Sequence, residues 1–317
     1  MSDRPRNRDW SQLAESGSMG AIRLLAWIYR VFGRRFCQLL LFPIVAYFYV
    51  RERAWNGASL RYLRFVWSRP EGRERLVRPP TIATPFRHYH EFASQVFDRL
   101  VLWGGGFDQF RVDHAGSEHL FELKREGRGG ILLGAHLGSF DMARSLAREY
   151  GLVLNIVMYT AHTERLNRFF EEVDPDSRLR VVSLDPTSMR TAFEIKACLD
   201  RGELVGILAD RVPAGSREPV FWADFLGRPM PVPSSPFQLA CLLGCPAFVS
   251  TCVRVGNGRY YASVTPLGPG RKLPRREREK GAEELARLYV RTLEAICLRY
   301  PFQWFNFFDP PEKPDAA

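Results

Sequence analysis

From Gly130 to Ala209 the chain repeats one pattern: a short apolar run, a helix-length segment, then another apolar run. The apolar runs are Gly130–Gly134, Leu152–Met158, Arg180–Leu184 and Glu203–Ala209, and the segments between them are Ser139–Tyr150, Thr163–Glu172 and Ser188–Arg201. Strands buried on both faces read as unbroken apolar runs, and strands separated by helices are parallel, because a parallel neighbour is reached only through a crossover. A helix over Pro236–Leu243 follows. Two strands, Ala247–Val255 and Tyr260–Val264, pair through the turn Gly256-Asn257-Gly258. Ala282–Tyr300 reads as a closing helix. The expectation is one α/β domain over 111–317, with a mixed, largely parallel sheet flanked by helices.

Composition fits that reading. With 46% hydrophobic residues in 317, a chain of this size buries about three quarters of its unfolded surface and needs no staple. Six cysteines lie scattered in apolar runs without a C-x-x-C pair. They read as buried thiols of a reducing compartment, which excludes a disulfide scaffold.

The N-terminal sequence is of another kind. Residues 1–70 carry twelve arginines against four acidic side chains, which is most of the net charge of +10. Basic clusters attract nucleic acid or anionic lipid, and the apolar residues interleaved here choose lipid. Ile22–Phe32 reads as an apolar helix with Arg23 and Arg30 on one face. Gly33-Arg34-Arg35 follows, then the apolar run Phe36–Val50, closed by Arg51 and Arg53. That run makes about 22 Å of helix, short of a bilayer's roughly 30 Å hydrocarbon core, and Pro43 is expected to kink it. With Trp27, Tyr47 and Tyr49 at interface level, a helix embedded in or tilted through one leaflet is expected, the remaining chain lying on the basic, cytoplasmic side. An ordinary buried core helix is the other reading. A polar stretch precedes the apolar residues and no small-x-small site follows, so a cleavable signal is not expected. Asn56–Val66 reads as a helix, 68–86 as a proline-rich loop, and His88–Leu102 as a helix stopped by Gly104–Gly106. Three parts result: 1–70 membrane-associated helices, 71–110 linker and helix, 111–317 the α/β domain.

Reactive groups in parallel sheets gather at the carboxyl ends of strands. The first core strand runs into Gly134-Ala135-His136-Leu137-Gly138-Ser139-Phe140-Asp141. An aspartate that accepts from one imidazole nitrogen leaves the other free to take a proton from a hydroxyl. Backbone N–H groups at the helix start suit an oxyanion. On a straight helix five residues set the two side chains about 140° apart, so the turn must bring them together. The same spacing suits a histidine that caps a helix and an aspartate in its first turn. His88-Tyr89-His90-Glu91 alternates as a metal site would, but without further ligands; His114, His119 and His162 read as surface or capping residues. No phosphate-binding glycine loop is present.

Several stretches together carry a resemblance: the apolar N-terminus with Gly33-Arg34-Arg35, the G-x-x-L-L-G-A-H-L-G-S-F-D run, Leu208–Arg211, Phe225–Pro229 and Tyr300–Phe305. The chain resembles the lauroyl/myristoyl acyltransferases of lipid A biosynthesis, within the lysophospholipid acyltransferase-like group that carries an H-x4-D motif. The resemblance implies a glycerolipid acyltransferase-like fold and transfer of an acyl chain from a thioester to a hydroxyl. It makes His136 the general base and Asp141 the residue that orients it, with no acyl-enzyme. No serine lies in a G-x-S-x-G turn. Arg211 then suits a phosphate or a developing oxyanion with Asp210 holding it, or the two form a structural ion pair. Arg165 and Arg168 meet anionic head groups or form a solvated face. Phe225 and Leu226 wall an acyl slot or pack a core. The mixed charges of Arg271–Lys280 read as a solvated loop, or as a dock for an acidic carrier protein.

The implied donor is acyl carrier protein, and the implied acceptor is a lipid or glycolipid hydroxyl such as that of a lipid A precursor. Membrane lipids are expected partners. Nucleic acid, metal and cofactor are not. The implied location is the cytoplasmic face of a bacterial inner membrane. An acyl-CoA or polyene donor with a lysophospholipid acceptor on the same fold is the alternative, and a non-catalytic membrane lipid-binding protein is the alternative of another class.

Overall fold

Strands that are apolar on both faces need a helical layer on each side, and the computed structural model is built that way. It describes residues 19–103, 105–158, 179–183, 189–212, 218–268 and 270–307. Helix α1 spans Met19–Arg51, α2 Arg53–Ser68, α3 Pro70–Leu76 and α4 Thr84–Trp103. The α/β part follows as β1 (Arg111–Ala115), α5 (Glu118–Arg125), β2 (Gly130–Gly134), α6 (Phe140–Glu149), β3 (Leu154–Met158), β4 (Leu179–Ser183), α7 (Met189–Asp200) and β5 (Leu204–Leu208). A separate antiparallel hairpin, β6 (Val220–Phe225) and β7 (Arg228–Pro233), precedes α8 (Ser235–Leu243), β8 (Ala247–Gly256), β9 (Arg259–Gly268) and α9 (Arg278–Arg299).

Seven strands form one sheet in the order β1-β9-β8-β2-β5-β3-β4. Only β8 and β9 run antiparallel; the other pairs are parallel. The chain leaves β2 to build β3, β4 and β5 on one side, then crosses over to build β8 and β9 on the other. Such a switch point opens a crevice beyond the carboxyl ends of the strands. Both faces of β2 are buried. Ile131 and Leu133 pack in one cluster with Val205, Phe237, Tyr289 and Leu293, whereas Leu132 packs in another with Leu120, Leu154 and Phe248.

Besides α3, three features were not expected from the sequence pattern: β1, α5 and the β6–β7 hairpin. β1 is an edge strand with charged, half-exposed residues, so it lacks an apolar run. In β7 prolines stand at 229, 231 and 233. Every second residue of a two-stranded ribbon turns its N–H away from the partner, so the missing donors fall on the open edge. Leu226 and Gly227 both take positive φ, 57° and 79°, in the tight hairpin turn. Glu294 of α9 holds that turn by accepting from the Leu226 N–H at 2.6 Å.

At the N-terminus the break in α1 falls at Gly33 (φ 73°, ψ 178°), and Pro43 stays inside the helix. A proline deletes one backbone bond and bends a helix, whereas glycine takes a positive φ without strain. Beyond the break, Cys37 and Leu41 pack with Phe97, Val101 and Leu102 of α4. Elsewhere on this half of the helix Leu39, Ile44, Tyr47, Phe48 and Val50 are exposed. No helix among the described residues is long and apolar enough to cross a membrane. The 68–86 stretch contains α3, begun by Pro70 where a missing N–H costs little, and α4 starts at Thr84 ahead of the expected His88.

His88 of α4 is a clasp and not a metal ligand. Its Nε2 lies 2.9 Å from the Trp304 carbonyl and its Nδ1 2.9 Å from Ser59 Oγ of α2. A carbonyl only accepts, so Nε2 carries the proton and Nδ1 accepts from the hydroxyl. Burial lowers its pKa to about 3, against the opposing pull of the Trp304 carbonyl. An unfolded histidine titrates near 6.5. Between these values the unfolded chain takes up a proton that the fold refuses, so stability falls with pH by up to about 1.4 kcal/mol per unit. Urea unfolding at pH 7, 6 and 5 should show this slope in wild type and a flatter one in His88→Gln; equal slopes would overturn the assignment.

Candidate active site

The loop after β2 is pinned from both sides. The Gly134 carbonyl accepts from Ala209 N–H at 3.0 Å and from the Tyr289 hydroxyl at 2.8 Å. On one side residues 303–305 lie along the loop: Gly138 N–H donates to the Gln303 carbonyl at 2.8 Å and Phe305 N–H to the His136 carbonyl at 2.7 Å. On the other side Ser139 N–H donates to the Cys252 carbonyl of β8 at 2.7 Å. Gly138 has φ 69°, and a Cβ there would stand 2.1 Å from the Cys252 oxygen, so only glycine permits this approach. Ser139 caps α6, its Oγ accepting from Met142 N–H at 3.2 Å.

His136 is therefore held before its side chain makes any contact. The ring then meets Asp210, just past β5, the strand paired with β2. His136 Nδ1 lies 2.8 Å from Asp210 Oδ1, and the His136 backbone N–H donates to Oδ2 at 3.0 Å. Trp304 Nε1–H donates to the same Oδ2 at 2.9 Å. The Asp210 side chain is 0% exposed and that of His136 is 34% exposed, so the carboxylate sits behind and the ring faces outward. Burial would raise the Asp210 pKa. The His136 ring, the Arg211 charge and the Trp304 indole more than offset it and bring it down to about 2. An ionised carboxylate can only accept, so Nδ1 carries the proton and Nε2 is left with its lone pair.

Asp141 has other partners. Its Oδ2 accepts from Arg99 Nε at 2.6 Å and its Oδ1 from Trp103 Nε1 at 3.2 Å, both on α4. The spacing argument paired Asp141 with His136, and the structure gives that place to Asp210. Asp141 lies in the first turn of α6, where its carboxylate is taken by two donors of α4, whereas His136 stands in the non-helical loop before that turn. Asp210 is brought close by strand pairing, which no local spacing reveals.

The sequence model of the family described as bacterial lipid A biosynthesis acyltransferase matches residues 79–308. The chain belongs to that family. It is an acyltransferase, acting in acyl transfer to lipid. Comparison with individual curated proteins gives no match.

The other expected site residues of this acyltransferase divide three ways. Arg211 follows Asp210 and donates through Nη2 to the Phe305 carbonyl at 2.6 Å, with its pKa pulled down by burial against the Asp210 charge. Phe225 and Leu226 are buried in the main core, and Phe225 stands edge-on to Trp304 at 4.9 Å between centroids. They do not form an open wall. Arg165 and Arg168, like His162, lie outside the described residues. Trp304 lay within the Tyr300–Phe305 stretch that carried the resemblance but was given no role at the site, and Arg99 and Trp103 were not singled out. Arg99 and Trp103 stand one turn apart on a single helix, a pattern able to grip a carboxylate, but nothing local says which one.

Gly138→Ala is expected to destabilise the acyltransferase by more than about 2 kcal/mol, from the positive φ and the clash together. It should also displace His136, so that transfer is lost even at temperatures where the variant remains folded. Chemical denaturation with parallel transfer assays would check this; wild-type stability and activity would contradict it.

Proposed function

We propose that the chain moves a fatty acyl group from an acyl-carrier-protein thioester to a hydroxyl of a membrane lipid or glycolipid such as a lipid A precursor. In this reading His136 is the general base and Asp210 the carboxylate that orients it. The observation that carries it is that one buried carboxylate receives both the backbone N–H and the ring N–H of a single, outward-facing histidine.

The chemistry follows from that tautomer. The Nε2 lone pair takes the proton of the acceptor hydroxyl as its oxygen attacks the thioester carbonyl. Asp210 then faces an imidazolium, whose charge it offsets from a carboxylate buried away from solvent. When the tetrahedral intermediate collapses, the C–S bond breaks, the new C–O bond remains, and the imidazolium returns the proton to the departing thiolate. No acyl-enzyme forms. Asp141 acts at one remove, tying Arg99 and Trp103 of α4 to the start of α6. Leu208, exposed at the end of β5, offers apolar surface beside the histidine for the acyl chain.

Membrane contact is supported by the exposed apolar side of α1 and the arginines that bound it. The span length and interfacial tyrosines favour lying in one leaflet at the cytoplasmic face of a bacterial inner membrane.

The test uses the full chain in detergent, labelled acyl-carrier protein or acyl-CoA, and a lipid extract from a bacterium that makes lipid A. Wild type should label a lipid. His136→Ala should lose at least about 100-fold in kcat/KM. Asp210→Asn should lose about as much, because an amide can donate to Nδ1 and leave the proton on Nε2. Transfer by His136→Ala at the wild-type rate would overturn the base assignment, and a wild type that binds lipid but labels none would favour a lipid-binding role. Labelling from acyl-CoA alone would replace the carrier protein as donor.

A further inference from the structure

Behind the segment that backs His136 lies a second cleft, of about 310 Å³, lined by Arg75, Arg87, Arg254 and Arg299 with Glu91 and Gln303. Its floor is neutralised. Arg254 Nη1 pairs with Glu91 Oε2 at 2.9 Å, and the Gln303 side chain donates to the same Glu91 oxygen at 3.1 Å while accepting from the Arg254 backbone N–H at 3.0 Å. Its rim is not. Arg75, Arg87 and Arg299 are exposed and have no carboxylate partner among the described residues. Three uncompensated guanidinium groups around one concavity repel each other, and a bound anion relieves that cost.

Two of the three are preset by aromatic rings. The Arg87 guanidinium lies 4.3 Å from the Phe302 ring centre, and that of Arg299 lies 5.4 Å from Tyr300 and 5.8 Å from Tyr261. A guanidinium laid against a ring keeps its N–H edge for a ligand, and a planar fork matches two oxygens of one phosphate. We infer that this cleft binds a phosphate-bearing anion, as a site separate from His136. Glu91 does not oppose it, because its charge is spent on Arg254. Two neighbours give the site its meaning. The Gln303 carbonyl accepts from Gly138 of the catalytic loop. Gln38 of α1 bonds Asn257 beside Gly256 of the cleft wall, at 2.7 and 3.0 Å. The phosphate therefore sits between the apolar helix and the back of the catalytic loop. A lipid head group or a water-soluble phosphate ester supplies this chemistry equally well.

The inference does not depend on the mechanism proposed for His136, so binding is measured directly in the full-length His136→Ala chain. Probes are phosphatidic acid in neutral detergent micelles and glycerol 3-phosphate in solution, each followed by calorimetry. The variant Arg87→Gln/Arg299→Gln should weaken binding at least about tenfold. The control Arg275→Gln/Arg276→Gln, which removes equal charge from an exposed segment elsewhere, should not. Arg75→Gln alone should weaken binding in the same direction, which covers the case that the double variant folds poorly. Binding of phosphatidic acid only assigns the site to a lipid head group, and binding of both probes assigns it to the phosphate itself. If neither probe binds, or the control weakens binding as much as the cleft variants, the inference is wrong.

Discussion

Asp210 keeps its negative charge without any access to solvent, and the surrounding architecture supplies the donors such a charge requires. One comes from the backbone of the β2 loop, one from the ring of His136, and one from the indole of Trp304, far along the chain. Two of the donors belong to His136 in the loop after β2 and the third to the C-terminal segment, so the carboxylate ties together β2, β5 and that segment. Remove that charge and the His136 ring loses its orientation, while Trp304 loses the bond that seats it in the core. The C-terminal segment is thus part of the site. Its Gln303 and Phe305 backbones hold the loop, and its Trp304 carbonyl accepts from the His88 ring N–H.

Much of this was legible in the residues. The unbroken apolar runs at β2, β3 and β5 gave the parallel core, because strands with both faces buried cannot alternate. The Gly256-Asn257-Gly258 turn marked the β8–β9 hairpin. His136 stood out because a histidine past a strand end, flanked by glycines, is where a parallel sheet places reactive groups. What was not legible were pairings between distant segments. Asp141 was chosen as the orienting carboxylate because it is near in sequence, yet the strand register puts Leu208, two residues before Asp210, opposite Gly134, two residues before His136. β1 escaped because an edge strand needs no apolar run, and β7 because three prolines argue against a strand unless it is one side of a ribbon.

The α1 helix and the arginine-rimmed cleft extend the same logic to the lipid side. Phe42 reaches across to His90 and Phe86 of α4, so one side of α1 is anchored to the domain while its other side stays apolar and open. The next residues along α4, Arg87 and Glu91, line the cleft. The exposed apolar surface, the arginine-rimmed cleft and the His136 loop thus meet along a single helix and a single C-terminal strap, an order suited to acyl transfer to lipid.

The central claim is that His136 is oriented by Asp210 and not by Asp141. The most direct measurement is the imidazole N–H spectrum of protein labelled with nitrogen-15 at its six histidines. A ring N–H donated to a buried carboxylate resonates far downfield, and substituting His136 identifies the signal. That signal should vanish or move strongly upfield in Asp210→Asn and persist in Asp141→Asn. A signal that survives loss of the Asp210 charge but disappears with that of Asp141 would contradict the account.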